Sequence, residues 1–168
     1  MNAIEVSPHD PATVYIATTR YKFNDLAPGI YKTSDYGKTW VNISKGIPYG
    51  AYTRVVREDP VRKGMLFAGT ELGMYISYNG GTSWQLFQLN FPVVPVTDLL
   101  IKNNDLVVAT MGRSFWILDD MGLIRQVTPG DETFRVYKPE DAVIGNWGSP
   151  LSSPTIENFK GTNEFEGV

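Results

Sequence analysis

The chain has 168 residues, 42% of them hydrophobic and 20% charged, with a net charge of −3. That is enough for one domain with a sizeable core, and the lack of basic excess argues against nucleic acid or an anionic membrane as main partner. There is no cysteine, which removes disulfides, thiolate metal sites and cysteine nucleophiles, and a single histidine removes multi-histidine metal sites.

The first unit opens with a strand at Ile4-Glu5-Val6 that runs into the turn Ser7-Pro8-His9-Asp10-Pro11. Val14–Thr18 and Ile30–Thr33 are the next strands, and Trp40–Ser44 is the fourth. The second unit repeats this order with Thr53–Arg57, Met65–Thr70, Met74–Ser77 and Trp84–Leu89, its Glu58-Asp59-Pro60 standing against His9-Asp10-Pro11. The third keeps Val96–Lys102, Leu106–Thr110 and Ser114–Asp119, and Leu123–Val127 is expected as its last strand. These are short β-branched and aromatic runs between Gly, Pro, Asn and Asp clusters, with no long amphipathic helix. Thr133–Lys138 reads as one more strand, and Gly145 onward as loop or extended arm.

Three units of about 40–45 residues with four antiparallel strands each are the pattern of β-propeller blades. The expected fold is all-β: a propeller segment of about three blades plus an irregular C-terminal arm. The blades span 1–46, 47–92 and 93–128, with a C-terminal strand and arm over 129–168.

One motif occurs twice at the turn from third to fourth strand. Thr33, Asp35, Gly37, Thr39 and Trp40 of the first copy match Ser77, Asn79, Gly81, Ser83 and Trp84 of the second, 44 residues on (84 − 40). Its chemistry is structural. The Asp or Asn accepts hydrogen bonds from its own turn, the glycine allows the turn, and the tryptophan fills the apolar layer. Asn79 keeps the acceptor and drops the charge, so a catalytic or metal-ligating Asp35 is disfavoured. On this reading Asp35→Asn is mild, and Trp40→Ala costs about 3–5 kcal/mol.

The motif, with the Ser-Pro-His-Asp-Pro turn, resembles the Asp-box (bacterial neuraminidase repeat) propellers, most of all the sortilin/VPS10-like and xyloglucanase-like repeat proteins. Leu106 to Asp120 and Val136 to Ala142 are similar to the end of the propeller in large, often exported bacterial proteins described loosely as glycosyl hydrolases. The resemblance covers roughly residues 1–142. It implies the C-terminal part of an exported parent protein, although the start of this chain shows no signal peptide and no run reaches the ~20 apolar residues of a membrane span.

Three blades fall short of the roughly 4–8 of a closed ring. The expected solutions are further blades of a longer chain or self-association. A ligand, glycan or peptide, is expected on the loops joining second to third strands and blade to blade. Arg20, Tyr21, Tyr49, Tyr52 and Arg113 are the candidate binding residues there. Arg113 and Asp98 are a candidate ion pair at the channel mouth. Asp98 and Glu71 are candidate catalytic carboxylates by position, with Asp119 and Asp120 behind them, because glycoside hydrolysis ordinarily needs two. His9 reads as a surface loop residue. No cofactor and no metal is expected. The lead reading is a non-catalytic scaffold or protein- or glycan-binding module. The alternative is a fragment of an exported, xyloglucanase-like glycoside hydrolase.

Overall fold

A computed structural model describes residues 1–130, 134–139 and 141. The arm expected from Gly145 onward lies outside these residues. Three antiparallel sheets follow one another along the chain. The first contains β1 (Ala3–Val6), β2 (Val14–Arg20), β3 (Asp25–Thr33) and β4 (Val41–Asn42) in that order. The second contains β5 (Thr53–Glu58), β6 (Leu66–Thr70), β7 (Gly73–Ser77) and β8 (Gln85–Leu86). The third contains β9 (Val96–Lys102), β10 (Asp105–Thr110) and β11 (Phe115–Leu118).

The third sheet has no fourth strand among the described residues. Where Leu123–Val127 was expected to be extended, Met121–Gln126 forms helix α1. A short apolar run is ambiguous between strand and helix, and neighbours decide it. Here the Asp120 side chain caps the Gly122 N–H at 2.9 Å, and Met121 is fully buried with Ile124 packed beside it. Residues 134–138 are not a strand either; Phe134 and Val136 are exposed.

Strand register corrects the alignment of the repeats. Val14 pairs with Val6 and Thr33, and Leu66 with Glu58 and Ser77, so these positions are equivalent. Ser7-Pro8 therefore corresponds to Asp59-Pro60, and not His9-Asp10-Pro11 to Glu58-Asp59-Pro60. The offset is 52 in the first two strands (66 − 14) and 44 in the last two (77 − 33). The difference is an eight-residue extension of the β2–β3 hairpin, which carries its ladder to Arg20 and Asp25 and tips over in a 3-10 turn at Tyr21–Phe23. Most of what looked like a loop over 19–29 is strand.

The sheets stack face to face with the second in the middle, and β5 touches both β1 and β9. One core lies between the first two sheets, built by Tyr15, Ala17 and Ile30 against Val56, Leu66, Ala68 and Tyr75. The other lies between the last two, with Phe67, Met74 and Ile76 against Leu99, Leu106 and Val108. Gly69 is required there, since a Cβ would meet Val96 and Val55 methyls at 2.6 and 2.7 Å.

Both boxes turn as expected. Asp35 accepts from Thr33 Oγ1 at 2.8 Å, the Thr39 N–H at 2.9 Å and Thr39 Oγ1 at 2.6 Å. Asn79 receives the Ser77 hydroxyl at 3.0 Å and the Ser83 N–H at 3.0 Å, and donates its amide to Ser83 Oγ at 2.9 Å. Gly37 and Gly81 hold φ of +85° and +87°. The Thr39 hydroxyl and N–H hold the Asp35 carboxyl down at about 2. Its pKa is depressed on folding, so its stabilisation is present above the ordinary carboxylate range and is lost as pH falls through about 2. Asp35→Asn is expected to fold normally and to lose this acid-dependent part. A pair of thermal melts at pH 5 and pH 2 should show a smaller acid shift in the variant, and an equal shift refutes the assignment.

The two box tryptophans differ. Trp84 is 6% exposed, and its indole N–H donates to Ile43 O in the preceding sheet at 2.6 Å. Trp40 is 41% exposed and donates only to Gly37 O within its own turn. The expectation that Trp40 fills an apolar layer is corrected: among the described residues no sheet packs against its side of the first sheet.

Candidate functional site

The end of the stack opposite the boxes gathers the interstrand and intersheet loops. The extended β2–β3 hairpin lies against the loop that enters β5, and the Gly50 N–H donates to Leu26 O at 3.1 Å. Tyr21, on the 3-10 turn, stacks on Tyr52 with ring centroids 5.5 Å apart and planes 20° apart. The Arg54 guanidinium lies 5.5 Å from the Tyr52 ring. Arg54 also donates Nε and Nη2 to Glu71 Oε2 at 2.8 and 2.6 Å. Burial, with Glu71 beside it, pushes the Tyr52 phenol up. Arg20 pairs with Asp25 at 3.0 Å at the end of the hairpin. Tyr21, Phe23 and Tyr49 present exposed rings at this end of the molecule.

Of the candidate binding residues, Tyr21 and Tyr52 meet directly, and Arg20 neighbours Tyr21 in sequence. Tyr49 lies near the hairpin through a long contact of 3.5 Å between its hydroxyl and the Leu26 N–H. Arg113 stands apart on the third sheet, exposed, and does not pair with Asp98. Asp98 instead accepts from Arg57 at 2.8 Å. Arg54 was missed. Its signal was position: like Thr53, it stands at the start of an inner strand beside the aromatic loop.

Arg57 is the other residue that sequence reasoning left unassigned. From the central strand β5 it donates to Leu99 O at 2.8 Å and Asp98 on one side, and to Glu5 at 3.3 Å on the other. It ties three inner strands at the axis. Burial raises the Glu5 carboxyl, partly offset by the Arg57 charge. The two candidate catalytic carboxylates therefore sit with separate arginines. Glu71 pairs with Arg54, whereas Asp98 shares Arg57 with a second carboxylate, Glu5. Asp120 caps α1, and no group of three or more His, Cys, Asp or Glu that could hold a metal ion occurs among the described residues. His9 is half-buried and not a free loop residue: its Nε2 lies 2.8 Å from Asp59 O.

No family model and no curated protein matches this chain. Solved structures do match. An ancestral GH74 enzyme is similar at 23% identity and a TM-score of 0.55, over 67% of this chain and 14% of that one. A GH74 enzyme from Niastella koreensis is similar at 19% identity and 0.56, over 71% and 21%. The GH74 xyloglucanase from Xanthomonas campestris is similar at 13% identity and 0.52, over 68% and 20%. The likeness is one of fold: the chain is a β-propeller segment. It spans about a fifth or less of the length of these proteins. The three sheets are blades, and their box ends and loop ends are the two faces of the propeller. No helix among the described residues is long and apolar enough to cross a membrane.

Proposed function

We propose that this chain is a non-catalytic segment of an Asp-box propeller, from an exported parent protein, that binds a glycan on its loop face. The observation that carries this reading is the Tyr21–Tyr52 stack set against the Arg54–Glu71 pair. A stacked tyrosine offers a flat apolar surface to the C–H face of a sugar ring. Hydrogen-bonding groups at its rim then orient the hydroxyls, the common plan of a ligand site with few polar anchors. The buried Tyr52 and the ion pair hold Tyr21 in place, so little ordering cost remains at binding.

Binding to immobilised polysaccharides or a glycan array tests this. The expected result is binding that falls at least tenfold in Tyr21→Ala and is unchanged in Arg113→Ala. Binding that is insensitive to Tyr21 overturns the site, and a protein or peptide ligand at the same face would replace the glycan with the other chemistry that aromatic platforms take.

The second reading is a fragment of a glycoside hydrolase, favoured by the likeness to GH74 structures. It requires an active Asp98 or Glu71 joined to carboxylates outside this chain. Hydrolysis of a polysaccharide by this polypeptide, abolished in Asp98→Asn, would establish it over the first.

A further inference from the structure

The blade repeat shows what each outer face of the stack is built to meet. Five apolar residues that the middle blade buries against the first blade have repeat equivalents on the first blade's own outer side. Val56 corresponds to Ile4, Leu66 to Val14, Ala68 to Ile16, Tyr75 to Tyr31 and Trp84 to Trp40, by strand register and box position. The chemistry is retained at every pair: aliphatic for aliphatic, tyrosine for tyrosine, tryptophan for tryptophan. Burial is not retained. Val56 is 0% exposed and Ile4 is 51% exposed.

The opposite end of the stack behaves the same way. Leu106 pairs with Leu118 as Leu66 pairs with Ser77, which equates Val107 with Phe67, Phe115 with Met74 and Ile117 with Ile76. Phe67, Met74 and Ile76 are buried against the third blade. Ile76 is 0% exposed, whereas Ile117 is 61% exposed, and Phe115 and Leu100 are exposed with it.

These two outer faces are the two complementary halves of one repeating interface, already formed twice inside the chain. Contiguous apolar patches of this kind mark interaction surfaces. We propose that, in the 168-residue polypeptide taken by itself, a second copy covers them. The outer face of blade three in one copy seats on the outer face of blade one in the next, and the reverse contact closes the pair. Two copies supply six blades, within the roughly 4–8 of closed propellers, and twofold closure is the commonest symmetry of homo-oligomers. Trp40 needs no carbonyl from the partner, because Gly37 O already takes its indole N–H at 3.1 Å. The proposal rests on the reading of the chain as an open propeller arc.

Light scattering coupled to size exclusion, with circular dichroism on the same samples, tests both. The expected result is a β-rich protein at twice the 18.8 kDa chain mass. Ile4→Glu and Ile117→Glu each put a charge on one outer face at an exposed position, so each variant should stay folded and become monomeric. Mixed together they should form a one-to-one heterodimer, because the intact blade-one face of Ile117→Glu meets the intact blade-three face of Ile4→Glu. A folded, cooperative wild-type monomer overturns the proposal and leaves the propeller reading standing. A dimer that survives both variants also overturns it, since another surface then holds the copies. Loss of the β spectrum in the wild type instead refutes the propeller reading itself.

Discussion

In the monomeric chain, Trp84→Ala is expected to destabilise the protein by about 3–5 kcal/mol, and Trp40→Ala by about 1 kcal/mol or less. The two residues occupy the same position of the same motif. What separates them is the neighbouring blade. Trp84 lies against the backbone of the first blade so closely that a Cβ on Gly46 would meet Trp84 O at well under contact distance. Its removal leaves a cavity between two blades and strands Ile43 O without the indole donor. Partial collapse cannot fill a space walled by two sheets, which is why aromatic truncations in cores cost this much. Trp40 loses only an exposed ring and a bond within its own turn. Chemical denaturation of both variants in the monomeric Ile117→Glu background checks the order. Equal losses in that background would mean that Trp40 is buried within its own chain, and would overturn the contrast between the two boxes.

Asp59→Ala is expected to cost a similar amount, about 3–5 kcal/mol, by breaking a buried ion pair and leaving one charge without its partner. Asp59 is 0% exposed. Its two oxygens accept from Arg125 Nη2 and Nε, both at 2.8 Å, and one of them also takes the Arg62 N–H at 2.9 Å. Arg125 lies on α1, which replaces the fourth strand of blade three, and it also donates to Asn104. Arg62 in turn donates to the carbonyls of Arg125 and Val127 at 2.8 Å. The turn of blade two thus anchors the helix of blade three. Asp59→Asn keeps the shape and one acceptor, so it should recover part of the loss. A Leu-sized neutral pair in place of Asp59 and Arg125 tests the other half of the argument: buried ion pairs are often replaceable by well-packed apolar groups without loss, provided both charges go together. A double variant as unstable as Asp59→Ala alone would show that the geometry of the helix anchor, and not the desolvated charge, sets the cost.

The gathering of aromatic residues at the loop face was legible in outline. The aromatic and charged residues over 19–29 and 45–52 were expected at one end of the molecule and lie together there, because loops between strands of a blade must gather at its ends. The pairings were not legible. Tyr21 meets Tyr52 only because the β2–β3 hairpin is extended, and the pairing partners of Asp98 and Glu71 come from another strand or another blade. Asp98 was matched with Arg113, fifteen residues away in sequence (113 − 98), yet Arg57 on the neighbouring inner strand reaches it. An arginine spans such a gap easily, and nothing in a linear pattern marks which inner strands lie side by side.

The sequence by itself determined the strands of residues 1–119, their order within each blade, and the two boxes down to the hydrogen bonds of Asp35 and Asn79. All of these rest on contacts between near neighbours in the chain, the widest being Val14 with Thr33 (33 − 14 = 19), where residue type and spacing decide the geometry. Only the tertiary structure decided which tryptophan is buried, that Leu123 and its neighbours are helical, and that Arg57 and Asp59 tie blades together. Those outcomes depend on surfaces brought together from 40 to 70 residues apart, such as the Asp59 to Arg125 pair at a separation of 66. The same motif then gives a core residue in one blade and an exposed ring in the other, because burial is a property of the neighbour and not of the motif.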